Sequence, residues 1–83
     1  MEHYLILARS VTYAQRMQKA LARIGIRSQF FRAPRELTDA GCAYVLRVAG
    51  TDLSGALNAI YRESLGPVRI FWYQSGTYQE VRI

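Results

Sequence analysis

The sequence predicts an α+β fold, a ferredoxin-like βαββαβ two-layer sandwich with an optional extra strand at the C-terminal end. Two amphipathic helical stripes alternate with four short β-like runs, and residues 1–83 are expected to form a single domain. Each β-α-β unit prefers a right-handed crossover. The two halves should therefore combine into one antiparallel sheet that is covered by two helices.

The first half opens with a short apolar run at residues 4–8, which is typical of a central strand buried on both faces. A helix follows, with Ser10 or Thr12 as its N-cap and Gly25 as its C-cap. Its apolar stripe recurs at spacings of three and four residues and contains Val11, Ala14, Met17, Leu21 and Ile24.

The middle of the chain contains two strands joined by a polar connection. Residues 28–33 form an aromatic-rich strand that ends at Pro34, because proline lacks the backbone donor that a strand needs. The connection over residues 34–41 is followed by a strand over residues 42–49, which ends at Gly50. Alternation places Tyr44, Leu46 and Val48 on one face of that strand, and Ala43, Val45 and Arg47 on the other.

The second half repeats the pattern of a helix followed by a strand. The helix starts at Thr51 or Asp52 and stops at Gly66-Pro67. Its apolar stripe contains Leu53, Ala56, Leu57, Ile60 and Tyr61. A strand over residues 68–73 and the turn residues Ser75-Gly76 then predict a hairpin whose second arm begins near Tyr78.

Composition excludes several classes of function. The single cysteine rules out an intrachain disulfide, and His3 as the one histidine makes a zinc site or a catalytic triad improbable, so we predict no metal and no cofactor. The N-terminus lacks the features of a signal peptide, and no apolar run approaches the roughly 20 residues that span a bilayer. We therefore expect a soluble cytoplasmic protein with no membrane partner, in which the thiol stays reduced.

Cys42 is the residue with the clearest potential for chemistry. The thiolate is the reactive form, and positive neighbours lower the pKa of a thiol. Arg32 and Arg35 lie on the strand end and the connection that lead to Cys42, and the backbone amides around Gly41 could form a small anion site. The alternative is that Cys42 is a buried small hydrophobe, as free cysteines often are.

The chain also resembles the small prokaryotic family of putative selenium/sulfur carrier-like proteins over nearly its whole length. The resemblance rests on the helix end Ile24-Gly25-Ile26, on Pro34-Arg35-Glu36-Leu37, and on Cys42 followed by Leu46-Arg47-Val48. Family members commonly have a cysteine-glycine pair, whereas this chain has Gly41-Cys42 in the reverse order.

The resemblance implies a carrier rather than a stand-alone enzyme. Cys42 would hold sulfur or selenium as a persulfide or selenenyl sulfide, and Arg35, Arg32 and Gly41 would support the anion. Donor and acceptor proteins would be the partners. The absence of a second cysteine suits this chemistry, because no resolving thiol can release the cargo within the same chain.

Two other functions remain open. Whatever its function, we expect the protein to form a homo-oligomer through the open sheet face or an edge strand. The first alternative is a homo-oligomeric interaction or regulatory module in which Cys42 is structural. An RNA-binding domain is the less favoured alternative: the charge of +5 and six strand aromatics suit it, but the basic-glycine-aromatic strand pattern of RNA-recognition modules is missing. Those aromatics are Phe30, Phe31, Tyr44, Phe71, Trp72 and Tyr73. We expect His3 to be a solvent-exposed bystander.

Overall fold

The computed structural model describes residues 3–37 and 43–81, which form a mixed α/β domain with five antiparallel strands and two helices. The elements, in chain order, are β1 (His3–Ala8), α1 (Val11–Arg23), β2 (Gln29–Arg32), β3 (Tyr44–Ala49), α2 (Leu53–Arg62), β4 (Arg69–Gln74) and β5 (Thr77–Val81). The sheet order is β2-β3-β1-β4-β5, and every neighbouring pair is antiparallel. None of the described helices is long and apolar enough to cross a membrane.

Both ends of α1 are capped by the residue types that the sequence places there. The Tyr13 amide donates to Oγ of Ser10 at 3.3 Å, so Ser10 rather than Thr12 is the N-cap. Gly25 has a φ of +80°, and the Ile26 amide donates to the Leu21 carbonyl at 2.9 Å. This is the left-handed glycine ending that satisfies the last carbonyls of a helix.

Asp52 is the N-cap of α2, as predicted, but the helix ends before the predicted stop. A 3₁₀ turn over Gly50–Asp52 leads into the helix, and the Asp52 side chain makes no capping hydrogen bond. The helix ends at Arg62 because Ser64 adopts a φ of 61° and the Leu65 amide turns back to the Ile60 carbonyl at 3.0 Å. The stop therefore comes before Gly66-Pro67. Tyr61, predicted in the apolar stripe, is 53% exposed.

One face of the sheet carries both helices and most of the described core. Ile6 of β1 and Leu46 of β3 are fully buried and directly opposite each other, and Ile60 of α2 packs in the same cluster. The helices contribute small side chains as well as large ones, which lets them approach the sheet closely. The other buried members are Ala8, Ala14, Met17, Ala20, Leu21, Val48, Ala56, Ala59 and Leu65.

The opposite face, which we call the second face, contains the side chains of Leu5, Val45, Arg47, Phe71 and Tyr73. Val45 and Arg47 thus share a face as predicted. The β2–β3 connection covers part of this face: the Leu37 amide donates to the Pro34 carbonyl at 3.0 Å, and Leu37 is only 5% exposed against Leu5, Val45 and Phe71. The sequence predicted a loop here but not this packing.

The C-terminal hairpin confirms the predicted extra strand. Ser75 and Gly76 have φ values of 52° and 79°, so both central residues of the turn are left-handed, as in a type I′ hairpin. Tyr73 and Tyr78 face each other across the β4–β5 pair, with ring centroids 4.9 Å apart. Residues 82 and 83 of the predicted arm lie outside the described part of the chain.

Candidate functional site

The predicted carrier thiol and its glycine, Cys42 and Gly41, both lie outside the described residues. The nearest described residue is Ala43, which is buried just before β3. The Ala33 amide donates to the Ala43 carbonyl at 3.0 Å. A backbone hydrogen bond therefore joins the described residues on either side of the β2–β3 connection.

The two arginines predicted to support the thiol belong to differently packed parts of the chain. Arg32 is the last residue of β2 and pairs with Tyr44, and its Cζ lies 6.0 Å from the centroid of the Tyr44 ring on the helix-bearing side of the sheet. Arg35 is exposed in the turn that places Leu37 on the second face. Arg32 thus lies opposite the first residue of β3. Arg35 lies in the turn that covers part of the second face.

A groove of about 260 Å³ opens beside Ala43, at the end of the sheet where β1 finishes and where β3 and β4 begin. We call it the Ala43 groove. Two arginines that the sequence analysis did not single out, Arg9 and Arg69, line this groove together with Tyr13 at the start of α1. Its remaining lining is mostly apolar, with Leu7, Ala8, Met17, Leu65, Pro67 and Val68.

The two arginines of the Ala43 groove differ in what they bind. Arg69 donates twice to the Glu80 carboxylate, with both distances 2.9 Å, and these hydrogen bonds raise the pKa of Arg69 further. Arg9 instead places its Cζ 4.5 Å from the centroid of the Tyr13 ring. Among the described residues no carboxylate pairs with Arg9, so its charge is available to an anion in the groove.

The sequence contained a signal for Arg9 that depends on strand direction. Neighbouring antiparallel strands place the end of one beside the start of the other. Ala8 at the end of β1 pairs with Tyr44 at the start of β3, so the residue that follows β1 and the residues that precede β3 share one end of the sheet. The same signal applies to Arg69, the first residue of β4, because β4 is also antiparallel to β1 and Leu7 pairs with Arg69.

Other candidate chemistry is sparse in the described part of the chain. No cluster of three histidine, cysteine or carboxylate side chains that could hold a metal occurs among residues 3–37 and 43–81. His3 is half-buried in β1, opposite Ala49 and Tyr73, and is not the exposed bystander that we expected. Strand pairing buries it, since β1 is central in the sheet.

The six strand aromatics do not form a single surface for stacking bases. Phe30, Tyr44 and Trp72 lie on the helix-bearing face, and Phe30 and Tyr44 pack edge to face with centroids 6.1 Å apart. Phe31 and Tyr73 are exposed on the second face, 41% and 44% respectively. Phe71, on that same face, is buried in the cluster that contains Leu37.

Comparison with known proteins identifies a family. The family model described as "Putative Se/S carrier protein-like" matches residues 3–71, which include both helices, β1 to β3 and the first part of β4. This confirms the resemblance inferred from the sequence. Neither the curated proteins nor the solved structures give a match to this chain.

Proposed function

The chain belongs to the putative Se/S carrier protein-like family, and we propose that it carries sulfur or selenium on the thiol of Cys42. We further propose that residues 1–83 form one ferredoxin-like domain. The strand order β2-β3-β1-β4, with both helices on one face and β5 added at the edge, supports that classification.

The observation that carries the proposal is the position of Arg9 in the Ala43 groove. Ala43 follows Cys42 directly in the chain, and it lines this groove with Arg9 and with Tyr13 of the first turn of α1. A guanidinium and the positive end of a helix both favour the anionic form of a nearby thiol. The groove therefore offers a thiolate or persulfide anion a cation without a carboxylate partner among the described residues.

The chemical step is an exchange that needs no oxidant. The Cys42 thiolate attacks the outer sulfur of a donor persulfide, R–S–SH. A new S–S bond forms between Cys42 and that sulfur, the donor S–S bond breaks, and R–S⁻ leaves as a thiolate. A donor of the form R–S–SeH would transfer selenium in the same way, and an acceptor thiolate would later remove the cargo by the reverse exchange.

The residues predicted from the sequence have supporting roles in this proposal. Arg32, at the end of β2, and Arg35, in the turn, contribute positive charge near the entrance of the connection. The amides around Gly41 would donate to the terminal sulfur anion. Donor and acceptor proteins would dock at this end of the sheet, and a reducing cytoplasm would keep the thiol free between transfers.

The rate of Cys42 alkylation tests the proposal. Iodoacetamide should modify native Cys42 at pH 7 faster than it modifies the urea-unfolded chain. The thiol of the unfolded chain has a pKa of about 8.5 and is therefore mostly protonated at this pH. Arg9→Gln should slow the native reaction by roughly two- to tenfold, because about one pKa unit of thiolate stabilisation is lost. Incubation with a small-molecule persulfide should add the mass of one sulfur atom to the wild type and nothing to Cys42→Ser.

Arg16→Gln is the matched control for this experiment. Arg16 is exposed on α1, and its replacement lowers the net charge by the same amount without touching the Ala43 groove. Its alkylation rate should equal that of the wild type. A thiol that reacts only after unfolding would rule out the carrier, and equal slowing by the Arg9 and Arg16 variants would rule out the role of Arg9.

The second candidate function is self-association, which the exposed aromatics of the second face favour. Phe31 and Tyr73 lie there at the surface, and small domains gain stability by burying such side chains in an oligomer. The wild type should then scatter light as a multiple of the 9.5 kDa monomer, and Phe31→Ser with Tyr73→Ser should reduce it to the monomer. A monomeric wild type at high micromolar concentration would exclude this candidate.

A further inference from the structure

A second and larger groove lies at the end of the sheet farthest from Ala43. It has a volume of about 1060 Å³ and opens where β1 and β2 begin and β3 ends. Charged side chains from four different parts of the chain line it, namely Lys19, Arg27, Arg47 and Asp52. Since β1 is six residues long, roughly 17 Å of strand separates this groove, which we call the basic groove, from the Ala43 groove.

Backbone and side-chain hydrogen bonds fix the wall of the basic groove. The left-handed Gly25 ends α1, and the Gly25 amide donates to the Ala22 carbonyl at 3.1 Å. The Gln18 side-chain amide then donates to the Ser28 carbonyl at 3.1 Å, which ties the segment after the helix back to α1. Because these hydrogen bonds already order the wall, binding of a ligand costs less conformational entropy.

The charges in the basic groove are unbalanced. Its lining contains three cations and one carboxylate, which leaves an excess of two positive charges. The described residues contain no ion pair that involves Lys19, Arg27 or Arg47. Arg47 donates to Oε1 of Gln29 at 2.7 Å, which orients the guanidinium while its other N–H groups stay available.

Apolar and polar side chains complete the lining. Ile26 is half-buried and packs against the core, and Ala22 and Ala49 lie beside it in the groove. The Ser28 hydroxyl oxygen is buried behind this lining and has no hydrogen-bond partner among the described residues. An apolar floor with a few converging donors is the usual composition of a site for a small organic molecule, and such sites occupy about 300–1,000 Å³.

We propose that the basic groove binds an organic phosphate monoester, with its phosphate at Lys19, Arg27 and Arg47 and its organic part on Ile26 and Ala22. A phosphate monoester carries a charge of about −1.5 to −2 at pH 7, which matches the excess charge of the groove. Arginine favours phosphate in particular, because its planar fork donates two parallel hydrogen bonds. This ligand site shares no lining residue with the Ala43 groove and does not depend on the carrier function.

Binding of adenosine monophosphate to the full chain tests the proposal. Calorimetric titration should give saturable binding, and adenosine, which lacks the phosphate, should bind at least about tenfold more weakly. The double variant Lys19→Gln, Arg27→Gln should raise the dissociation constant by about tenfold or more, since each charge-assisted hydrogen bond contributes substantially. Amide resonances of Ser28 and Ala49 should shift on titration.

Arg62→Gln, Arg23→Gln is the control with the same change in net charge. Both residues lie outside the lining of the basic groove, with Arg62 in the last turn of α2. This variant should bind adenosine monophosphate within about twofold of the wild type, because the remaining effect is only long-range electrostatics. No saturable binding at millimolar ligand, equal weakening by both double variants, or resonance shifts confined to other surfaces would each overturn the proposal. Alkylation of Cys42 should be unchanged in all these variants, so failure here is distinct from failure of the carrier.

Discussion

The two faces of the sheet are covered in different ways. On the helix-bearing face, twelve of the described residues form one buried cluster, contributed by β1, β3, both helices and Leu65. On the second face the buried cluster has four members, and one of these, Leu37, comes from the connection between β2 and β3. Two regular helices cover the first face, whereas in the described part of the connection it is the turn ending at Leu37 that covers the second face.

This difference predicts that the helices and the covering turn differ in their local stability. The helices are long amphipathic segments whose packing is cooperative with the central strands. Of the described residues in the turn, Leu37 is buried in the cluster on the second face, whereas Arg35 and Glu36 are exposed. Segments with few buried contacts open at low free-energy cost, so we expect this turn to open more readily than either helix.

The largest predicted effect compares one leucine from each face. Leu46→Ala should lower the free energy of unfolding by about 3–5 kcal/mol, because Leu46 is fully buried between two helices and the sheet. Leu37→Ala should lower it by about 2 kcal/mol, because the turn can relax into part of the cavity. Urea unfolding followed by the fluorescence of Trp72, the single tryptophan, measures both.

Volume-conserving variants are the controls for that comparison. Leu46→Met and Leu37→Met keep most of the packed volume and should each cost less than about 1.5 kcal/mol. If Leu37→Ala destabilised the protein as much as Leu46→Ala, the second face would be packed as tightly around Leu37 as the helix-bearing face is around Leu46.

Much of the fold could be predicted because it depends on local signals. Ser10 and Gly25 bound α1 through capping bonds made within a few residues, and Ser75-Gly76 favours the left-handed turn of the hairpin. The end of α2 could not be predicted in this way. Ser64 adopts a left-handed conformation that the residue type only weakly favours, so tertiary packing of Leu65 decides where the helix stops.

The candidate site was only partly predictable, because it depends on which strands are neighbours. Arg32 and Arg35 were chosen for their nearness to Cys42 in sequence, and the structure places them in parts of the chain with different packing. Arg9 is remote in sequence from Cys42, and it reaches the Ala43 groove because β1 runs antiparallel to β3. Family membership was predictable, since the resemblance rests on short local strings of residues and the family model matches residues 3–71.

The smallest predicted effect is a pH dependence of the second face. Burial raises the pKa of Tyr78, and the nearby charges of Glu36 and Tyr73 raise it further. The native state therefore favours the neutral phenol. The contribution of Tyr78 to stability is fully present below the pKa of about 10 that tyrosine has in the unfolded chain. It is lost as the pH rises through the higher pKa of Tyr78 in the folded state.

Unfolding of the wild type and of Tyr78→Phe above about pH 10 measures this contribution. The wild type should lose stability with pH more steeply than Tyr78→Phe, and Glu36→Gln should lower the pKa of Tyr78 because it removes the negative charge of the turn. Glu36 precedes Leu37 in the covering turn, so an effect of Glu36→Gln on Tyr78 would place that turn over β5 in solution. If the free energy of unfolding changed equally with pH in all three proteins, neither burial nor Glu36 would raise the pKa of Tyr78 in solution.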